Sequence, residues 1–414
     1  MAFTFIHAAD LHIDSPLAGL GCKDPLVRER FAHAGRRAVE NLVAETIVAK
    51  AAFLLICGDI FDGEWRDVST GHFFARELGR LERAGIPTFI VNGNHDAASQ
   101  IGKSLPYPES ARVFASRAAQ TITIDELRVA LHGRSFGQRL VGGDFLASYP
   151  TRRDGYINIG LLHTALDGSR GHESYAPCTP EELKRFGYDY WALGHVHAAE
   201  IVSRDPFIVY PGNIQGRHAR ETGAKGAMRV TVEEGRVVDV TPLALDAARW
   251  ARALVDVAPC REEAEVVTRI EAAMRAELER SEGRPVALRI TLQGATALHR
   301  RFVAQRETLE EDLRAIGFRH AEDFWVESLK VETRAPTKSA IKLDEADALD
   351  VEALIAGAAA EPEFSQALAE LLASIEEKSP RELRGVLTNE ASALADEARD
   401  LLLGLLASHE RSDA

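Results

Sequence analysis

At 414 residues, with 46% hydrophobic and 27% charged positions, the chain is long enough for two or three domains and ordinary enough in balance to exclude a disordered or fibrous class. The apolar runs AAFLLIC and LLLGLLA are too short to cross a bilayer, the start MAFTFIHAADLH lacks a signal-peptide pattern, and the four cysteines form no CxxC pair, so the expectation is a cytoplasmic protein with no membrane association. The net charge of −14 decides nothing about nucleic acid, because residues 341–414 hold 17 acidic against 6 basic residues and leave the preceding 340 near neutral, and bound metal would add charge that this count omits.

In chain order, TFIHA is a predicted strand that runs into a loop holding Asp10 and His12. Residues 25–50 have helical periodicity, with Pro25 suited to a first turn. FLLIC is a predicted buried strand, with Cys57 in the core, ending at Gly58-Asp59. Residues 69–84 read as helix, and PTFIV as a strand ending at Gly93-Asn94. LRVALHG, INIGLLH, YWALGH and PFIVYPG are further strands, so the first half alternates in the manner of a layered α/β domain. Asp10, Asp59, Asn94, His163 and His195 each follow an apolar strand directly, and carboxyl ends of strands are where α/β sheets place ligands. Five such loops are expected to meet at one site.

A boundary is predicted near residue 245, after VTVEEGRVVDVTPLAL. From there to about 335 the helix REEAEVVTRIEAAMRAELERSE, the strand PVALRITLQG, a second helix and WVESLKVETR suggest a small α/β domain. APTKS reads as a linker. Residues 341–414 suggest two or three amphipathic helices with a break at Ser379-Pro380. Their apolar stripes (Leu368, Leu371, Leu372, Ile375; Leu401, Leu402, Leu405, Leu406) need burial on each other or on a partner.

The chemistry is carried by Asp10-x-His12, Gly58-Asp59, Gly93-Asn94-His95-Asp96, His163 and Gly194-His195-x-His197. Asp, Asn and His together suit manganese, iron or zinc, and the lack of cysteine argues against a structural zinc site. Two ions about 3.5–4 Å apart need a shared ligand, and Asp59, at the end of a central strand, fits that place. His95, next to Asn94, is the candidate to protonate or stabilise a leaving oxygen, with Asp96 the candidate to orient it. Taken alone, His163 would more often be a core histidine and Asp10 a turn residue; within the full set ligation is the stronger reading. His7 reads as packing, His33, His72 and His172 as solvated or structural, and His132 as ambiguous. Arg134, Arg217 and Arg220 can serve phosphate or the surface equally well, and Asp62 can be a cap or a group on the substrate side.

ADLH, GDIFD, GNHD, LLH and GHVH, in this order, resemble the motif set of the calcineurin-like metallophosphoesterases. LHIDSPLAGL, CGDIFDGEWRD, GNHDAASQ, LLHTALDG, YWALGHVH and YPGNIQGRHARETG are similar to the SbcD-type DNA repair exonucleases, in particular their YhaO-like branch, strongly over residues 3–230. The resemblance implies an α/β fold: a β-sandwich flanked by helices over 1–245, a capping domain over 246–335 and a helical ATPase-docking segment over 341–414. It implies that Asp10, His12, Asp59 and His197 hold one ion, that Asp59, Asn94, His163 and His195 hold the other, and that His95 is catalytic. It further implies Mn2+, a DNA substrate, a coiled-coil SbcC/YhaN-like ATPase partner and a homodimer formed through helices within residues 25–84. One departure is Asp62, where some SbcD-type proteins have histidine. A small-molecule phosphodiesterase or phosphatase on the same centre is the alternative; a non-catalytic scaffold is disfavoured because no ligand of the set is missing.

Overall fold

A computed structural model describes residues 2–15, 31, 33–62, 67–98, 105, 107–138, 145–166, 176–336, 351–378, 394–395, 398–399 and 401–403. Cys22, Pro25, His172, Leu405, Leu406, the Ser379-Pro380 break and most of the expected linker lie outside the described residues.

The chain divides into two compact units, one of residues 1–251 with 278–288 and 323–327, the other of 252–277, 289–322 and 328–414. The first unit runs β1 (Ala2–Ala8), α1 (Ala34–Val48), β2 (Leu54–Cys57), α2 (Val68–Arg83), β3 (Thr88–Val91), α3 (Asn94–Ala98) and β4 (Ala111–Val113). It continues through β5 (Gln120–Ile124), β6 (Val129–Gly133), β7 (Ile157–His163), α4 (Pro180–Arg185), β8 (Tyr190–Gly194), β9 (Glu200–Arg204), β10 (Phe207–Tyr210), β11 (Gly226–Glu233) and β12 (Arg236–Ala244).

These strands make two six-stranded sheets, ordered β12-β11-β1-β2-β3-β4 and β5-β6-β7-β8-β10-β9. In the first sheet β1, β2, β3 and β4 run parallel, with Ile6 opposite Leu54 and Leu54 opposite Thr88. In the second, β6, β7, β8 and β10 run parallel. Parallel strands buried on both faces read as continuous apolar runs, which is why LLIC, TFIV and YWALG are buried at every position.

Alternate side chains of these runs build three apolar layers. Phe5, Phe53, Leu55, Phe89 and Val91 of the first sheet's region meet Leu131, Ile159, Leu161, Tyr190 and Ala192 of the second, so the sheets form a sandwich. The outer face of the first sheet (Ile6, Leu54, Ile56, Ile90) packs on Ala38, Val39, Leu42 and Val43 of α1 and on Phe73, Phe74, Leu78 and Leu81 of α2. The outer face of the second (Leu162, Trp191, Leu193, Ile208) packs on Leu183 of α4 and on Phe145 and Tyr149. The helices bear these faces because their apolar residues recur every three to four positions. α2 opens at Asp67, whose carboxylate accepts the Ser69 N–H at 2.8 Å, and it stops before Gly85, which has a positive φ of 74°. The layered α/β architecture expected from sequence is therefore present.

The third sheet is ordered β13-β14-β15, from Arg249–Asp256, Val286–Ala295 and Phe324–Arg334. In the second unit, α5 (Glu263–Arg280) buries Val266, Ile270 and Met274, and α7 (Arg306–His320), which follows the short α6 (His299–Ala304), buries Leu313 and Ile316. Two helices close the well-described chain, α8 (Val351–Ala360) and α9 (Pro362–Glu377). In α9 Leu372 is buried, while Leu371 and Ile375 are 58% and 43% exposed. No helix among the described residues is long and apolar enough to cross a membrane.

Candidate metal centre

Parallel strands deliver their loops to one edge of a sheet. Beyond the ends of β1 and β2 the backbone stays paired: Asp10 N–H donates to Gly58 O (3.0 Å), His12 N–H to Asp59 O (3.0 Å) and Ile13 N–H to Ile60 O (2.9 Å). From the second sheet, β7 ends on His163 itself, and β8 hands the chain to His195 through Gly194. Asp10, His12, Asp59 and His195 all have positive φ (52°, 41°, 52° and 98°). Such backbone costs on the order of 1 kcal/mol or more per non-glycine residue and concentrates at functional sites. Close approach also explains two glycines. A Cβ on Gly194 would lie 1.8 Å from Cys57 O, and one on Gly93 would lie 2.2 Å from Asp59 Oδ1.

Among the described residues the donor atoms gather in three groups, two of them trios made of predicted ligands alone. One oxygen or nitrogen each from Asp10, His12 and His197 lie within 4.8 Å of one another, and so do those of Asp59, His163 and His195. Asn94 joins the second trio, with Oδ1 3.0 Å from His163 Nε2. All seven residues predicted to bind metal are thus brought to one place.

The hydrogen bonding in each trio fits a cation. His163 Nδ1–H donates to Cys57 O at 2.9 Å, which leaves Nε2 a lone pair. That nitrogen faces Asn94 Oδ1 and, at 3.3 Å, Asp59 Oδ2. Three acceptors converging on one point are reconciled by a positive charge. In the other trio His197 Nδ1–H donates to Glu221 Oε1 at 2.7 Å, which turns the Nε2 lone pair toward His12 Nε2 at 3.2 Å. Arg217 Nη2 also lies 3.3 Å from His197 Nδ1, but both are donors, and the shorter contact identifies Glu221 as the partner.

Electrostatics lead to the same conclusion. Burial pushes the Asp10 carboxyl up to about 6, even though His195 N–H donates to both its oxygens at 3.1 and 2.9 Å. Burial alone would also raise Asp59 and lower His163. Their mutual attraction outweighs it, holding Asp59 well below the usual carboxylate range and pushing His163 up to about 9. The buried Asp59–His163 pair is thus stabilised by a positive charge, which a bound cation would supply in place of the proton.

Beside the trios stands a third group, His12, Asp62 and His95. His95 Nδ1 lies 3.3 Å from Asp62 Oδ1, and the hydrogen bond to Asp62, opposed by burial, raises the ring's affinity for a proton. This corrects the sequence reading of Asp96 as the residue that orients His95. Asp96 is buried and its oxygens accept the N–H groups of Ile60 (2.9 Å), Phe61 (3.1 Å) and Gly93 (3.0 Å). It ties the GDIF and GNHD loops together, and the carboxylate at His95 is Asp62.

Glu221 was not singled out in the sequence. Besides His197 it accepts from Asn213 Nδ2 (2.9 Å) and Arg217 N–H (2.8 Å), both at Oε2. Burial opposes its ionisation, but the His197 bond and the Arg217 charge hold it well below the usual range. The only signal was an acidic residue in the loop RHARETG, two strands after GHVH. Lys225 Nζ adds a hydrogen bond to His197 O at 2.8 Å, so ring and backbone of His197 are both held.

His7, His132 and Arg134 are held within the fold. His7 is buried and bonded to Tyr190 Oη and Leu193 O, both at 3.0 Å. His132 is bonded to Thr121 Oγ1 and Asn158 Oδ1. Arg134 donates to Ser116 O and Phe145 O, each at 3.1 Å. His33, His72 and Arg220 are exposed.

Residues 3–199 match the calcineurin-like phosphoesterase family, and residues 250–334 match the middle domain of metallophosphoesterase YhaO. The uncharacterized metallophosphoesterase YhaO of Bacillus subtilis is 33% identical over 324 residues, covering 77% of this chain and 78% of its own. The DNA double-strand break repair protein Mre11 of Methanopyrus kandleri is 26% identical over 299 residues, covering 64% of this chain and 61% of its own. A dimetal phosphatase from Danio rerio aligns over 58% of this chain and 98% of its own, with 12% identity and a TM-score of 0.36. With a relative this similar over more than three quarters of both chains, and strand-end donors arranged for a calcineurin-like dinuclear site, the protein belongs to the calcineurin-like metallophosphoesterases and is a metal-dependent phosphoester hydrolase.

Proposed function

We propose that this hydrolase is a Mn2+-dependent DNA repair exonuclease that cuts phosphodiester bonds and serves as the nuclease subunit of a complex with an SbcC/YhaN-like ATPase. The observation that carries the reading is the pair of donor trios with the His95–Asp62 pair beside them. Similarity to Mre11 supports DNA as the substrate class.

In this reading Asp10, His12, Asp59 and His197 hold one ion, and Asp59, Asn94, His163 and His195 hold the other, with Asp59 shared. When bound, the ions would supply an activated water and counter-charge for the phosphoryl oxygens. Asp62 engages His95 Nδ1 and so leaves the other ring nitrogen to deliver a proton to the leaving oxygen. Cys57 O and Glu221 fix the tautomers of His163 and His197, keeping each Nε2 lone pair turned inward. Residues 246–335 serve as the capping domain and 341–414 as the docking segment, where Leu371, Ile375, Leu401 and Leu402 offer exposed apolar side chains to the ATPase. Homodimerisation through the helices within residues 25–84 and a cytoplasmic location complete the proposal.

The test is purified protein with Mn2+ and end-labelled linear DNA, with and without the partner ATPase. Progressive loss of label is expected. DNA left intact with the ATPase present, alongside turnover of nucleotide or model diesters, would move the protein to the small-molecule alternative. A second expectation concerns the clamp on His197. Glu221→Gln should weaken Mn2+ binding roughly 10- to 100-fold, because the amide lacks the carboxylate's charge and offers only one oxygen where His197 needs Oε1 and Asn213 and Arg217 need Oε2. Titration calorimetry of the variant reads this directly, and unchanged affinity would remove Glu221 from the account.

A further inference from the structure

Arg217 lies in the loop between β10 and β11, and its side chain is 18% exposed. It sits among Ser15, Asp62, His197 and Glu221, yet every guanidinium contact is long. Nη1 is 3.4 Å from Ser15 Oγ and 3.8 Å from Asp62 Oδ1, and Nη2 is 3.5 Å from Glu221 Oε1 and 3.3 Å from His197 Nδ1, which is itself a donor to Glu221. Nε is buried and makes no hydrogen bond. Arginine pairs that matter to stability are nearer 2.7–2.9 Å.

The nearby acceptors are already committed. Glu221 serves His197, Asn213 and the Arg217 backbone, while Asp62 accepts Ser15 Oγ–H at 2.8 Å and faces His12 and His95. The guanidinium is held in place by charge and backbone, but its donors are not filled by short bonds. Arg134 shows the contrast: Nε and Nη1 each reach a carbonyl at 3.1 Å, so that guanidinium is anchored by closer bonds than any the Arg217 side chain makes. The positive charge of Arg217 also bears on both His12 and His95, which places it on the side of the site where His95 works.

Under-filled donors in a fork, beside a dinuclear site that acts on phosphoesters, match the oxygens of a phosphate group. We propose that Arg217 is a substrate-binding residue that grips a non-bridging oxygen of the scissile phosphate. The inference rests on the phosphodiesterase reading above, and it adds a positive group that is not a metal ligand.

The test compares wild type, Arg217→Ala and Arg217→Lys as full-length, Mn2+-loaded proteins. Three quantities are read: Mn2+ stoichiometry, affinity for inorganic phosphate by calorimetry, and KM and kcat on bis(4-nitrophenyl) phosphate. Arg217→Ala should keep its two Mn2+ ions, while phosphate affinity falls and KM rises by roughly 10- to 100-fold, the worth of a hydrogen bond to a charged group. Arg217→Lys should recover part of that loss, having the charge without the fork. Phosphate affinity and KM within about twofold of wild type in Arg217→Ala would overturn the proposal. So would loss of Mn2+ together with phosphate, which would make the residue structural. If Arg217→Ala fails to fold, the lysine variant decides alone: wild-type values for both phosphate and KM overturn the assignment. A wild type that turns over no diester would sink the phosphodiesterase reading, and the phosphate titration would still decide for or against Arg217.

Discussion

Asp59→Asn should abolish hydrolysis, lowering kcat/KM by on the order of 10⁴-fold or more, the scale on which loss of an indispensable catalytic group is felt. The carboxylate is 2% exposed, and both its oxygens are committed: Oδ1 accepts His95 N–H at 3.0 Å, and Oδ2 lies 3.3 Å from His163 Nε2. The amide removes the negative charge that balances two cations, and no other carboxylate belongs to the trio with His163 and His195. Bound metal should therefore fall from two ions to at most one. Elemental analysis after gel filtration, paired with a diester assay, measures both effects. A variant that retains two ions and normal turnover would remove Asp59 from its shared position.

His95→Ala should lower kcat by roughly 10²- to 10⁴-fold, the usual worth of a positioned proton donor, with two metal ions still bound. Its ring is not among the seven predicted ligands but stands in the third donor group, with His12 and Asp62, and in the proposed mechanism it presents a proton beside Asp62. The loss should depend on the leaving group. It should be large for an alkoxide such as a nucleoside 3′-oxygen and small for 4-nitrophenolate, which departs without a proton. Asp62→Asn should show the same dependence at smaller amplitude, because Asp62 acts through the ring. Equal losses on both substrates would mean that His95 places the substrate and does not protonate it.

The sequence made the interior strands legible and hid the edges. β2, β3 and β8 are buried at every position, so their apolar runs stand out. β4, β5 and β9 contain no fully buried residue, so none shows the continuous apolar run that marks the interior strands, even though QTITI of β5 is rich in β-branched residues. The donor residues were legible for a similar reason: each follows an apolar run, and a polar residue at that point needs an explanation. Their partners were not. Asp96 is adjacent to His95 in sequence but turns to three backbone N–H groups, whereas Asp62, from another loop, reaches the ring. Glu221 lies 24 residues from His197. Which carboxylate meets which imidazole is set by how separate loops pack, and spacing along the chain carries no record of it. Arg134 and Arg217 look alike in sequence for the same reason, although one is anchored by two carbonyls at 3.1 Å and the other's side chain makes only longer contacts.

The two layers contribute unequal halves of the site. Asp10, His12, Asp59 and Asn94 follow strands of the first sheet, while His163, His195 and His197 come from the second. Any sliding of one layer over the other would stretch every donor-to-donor distance that spans the seam. What resists such shear is the aromatic filling between them, with Phe5 stacked on Phe53 at 4.8 Å and set edge-on to Tyr190 at 5.5 Å. These rings touch no substrate, yet they gauge the span across which the cations must fit. A loosened filling would register as altered metal selectivity before it registered as unfolding.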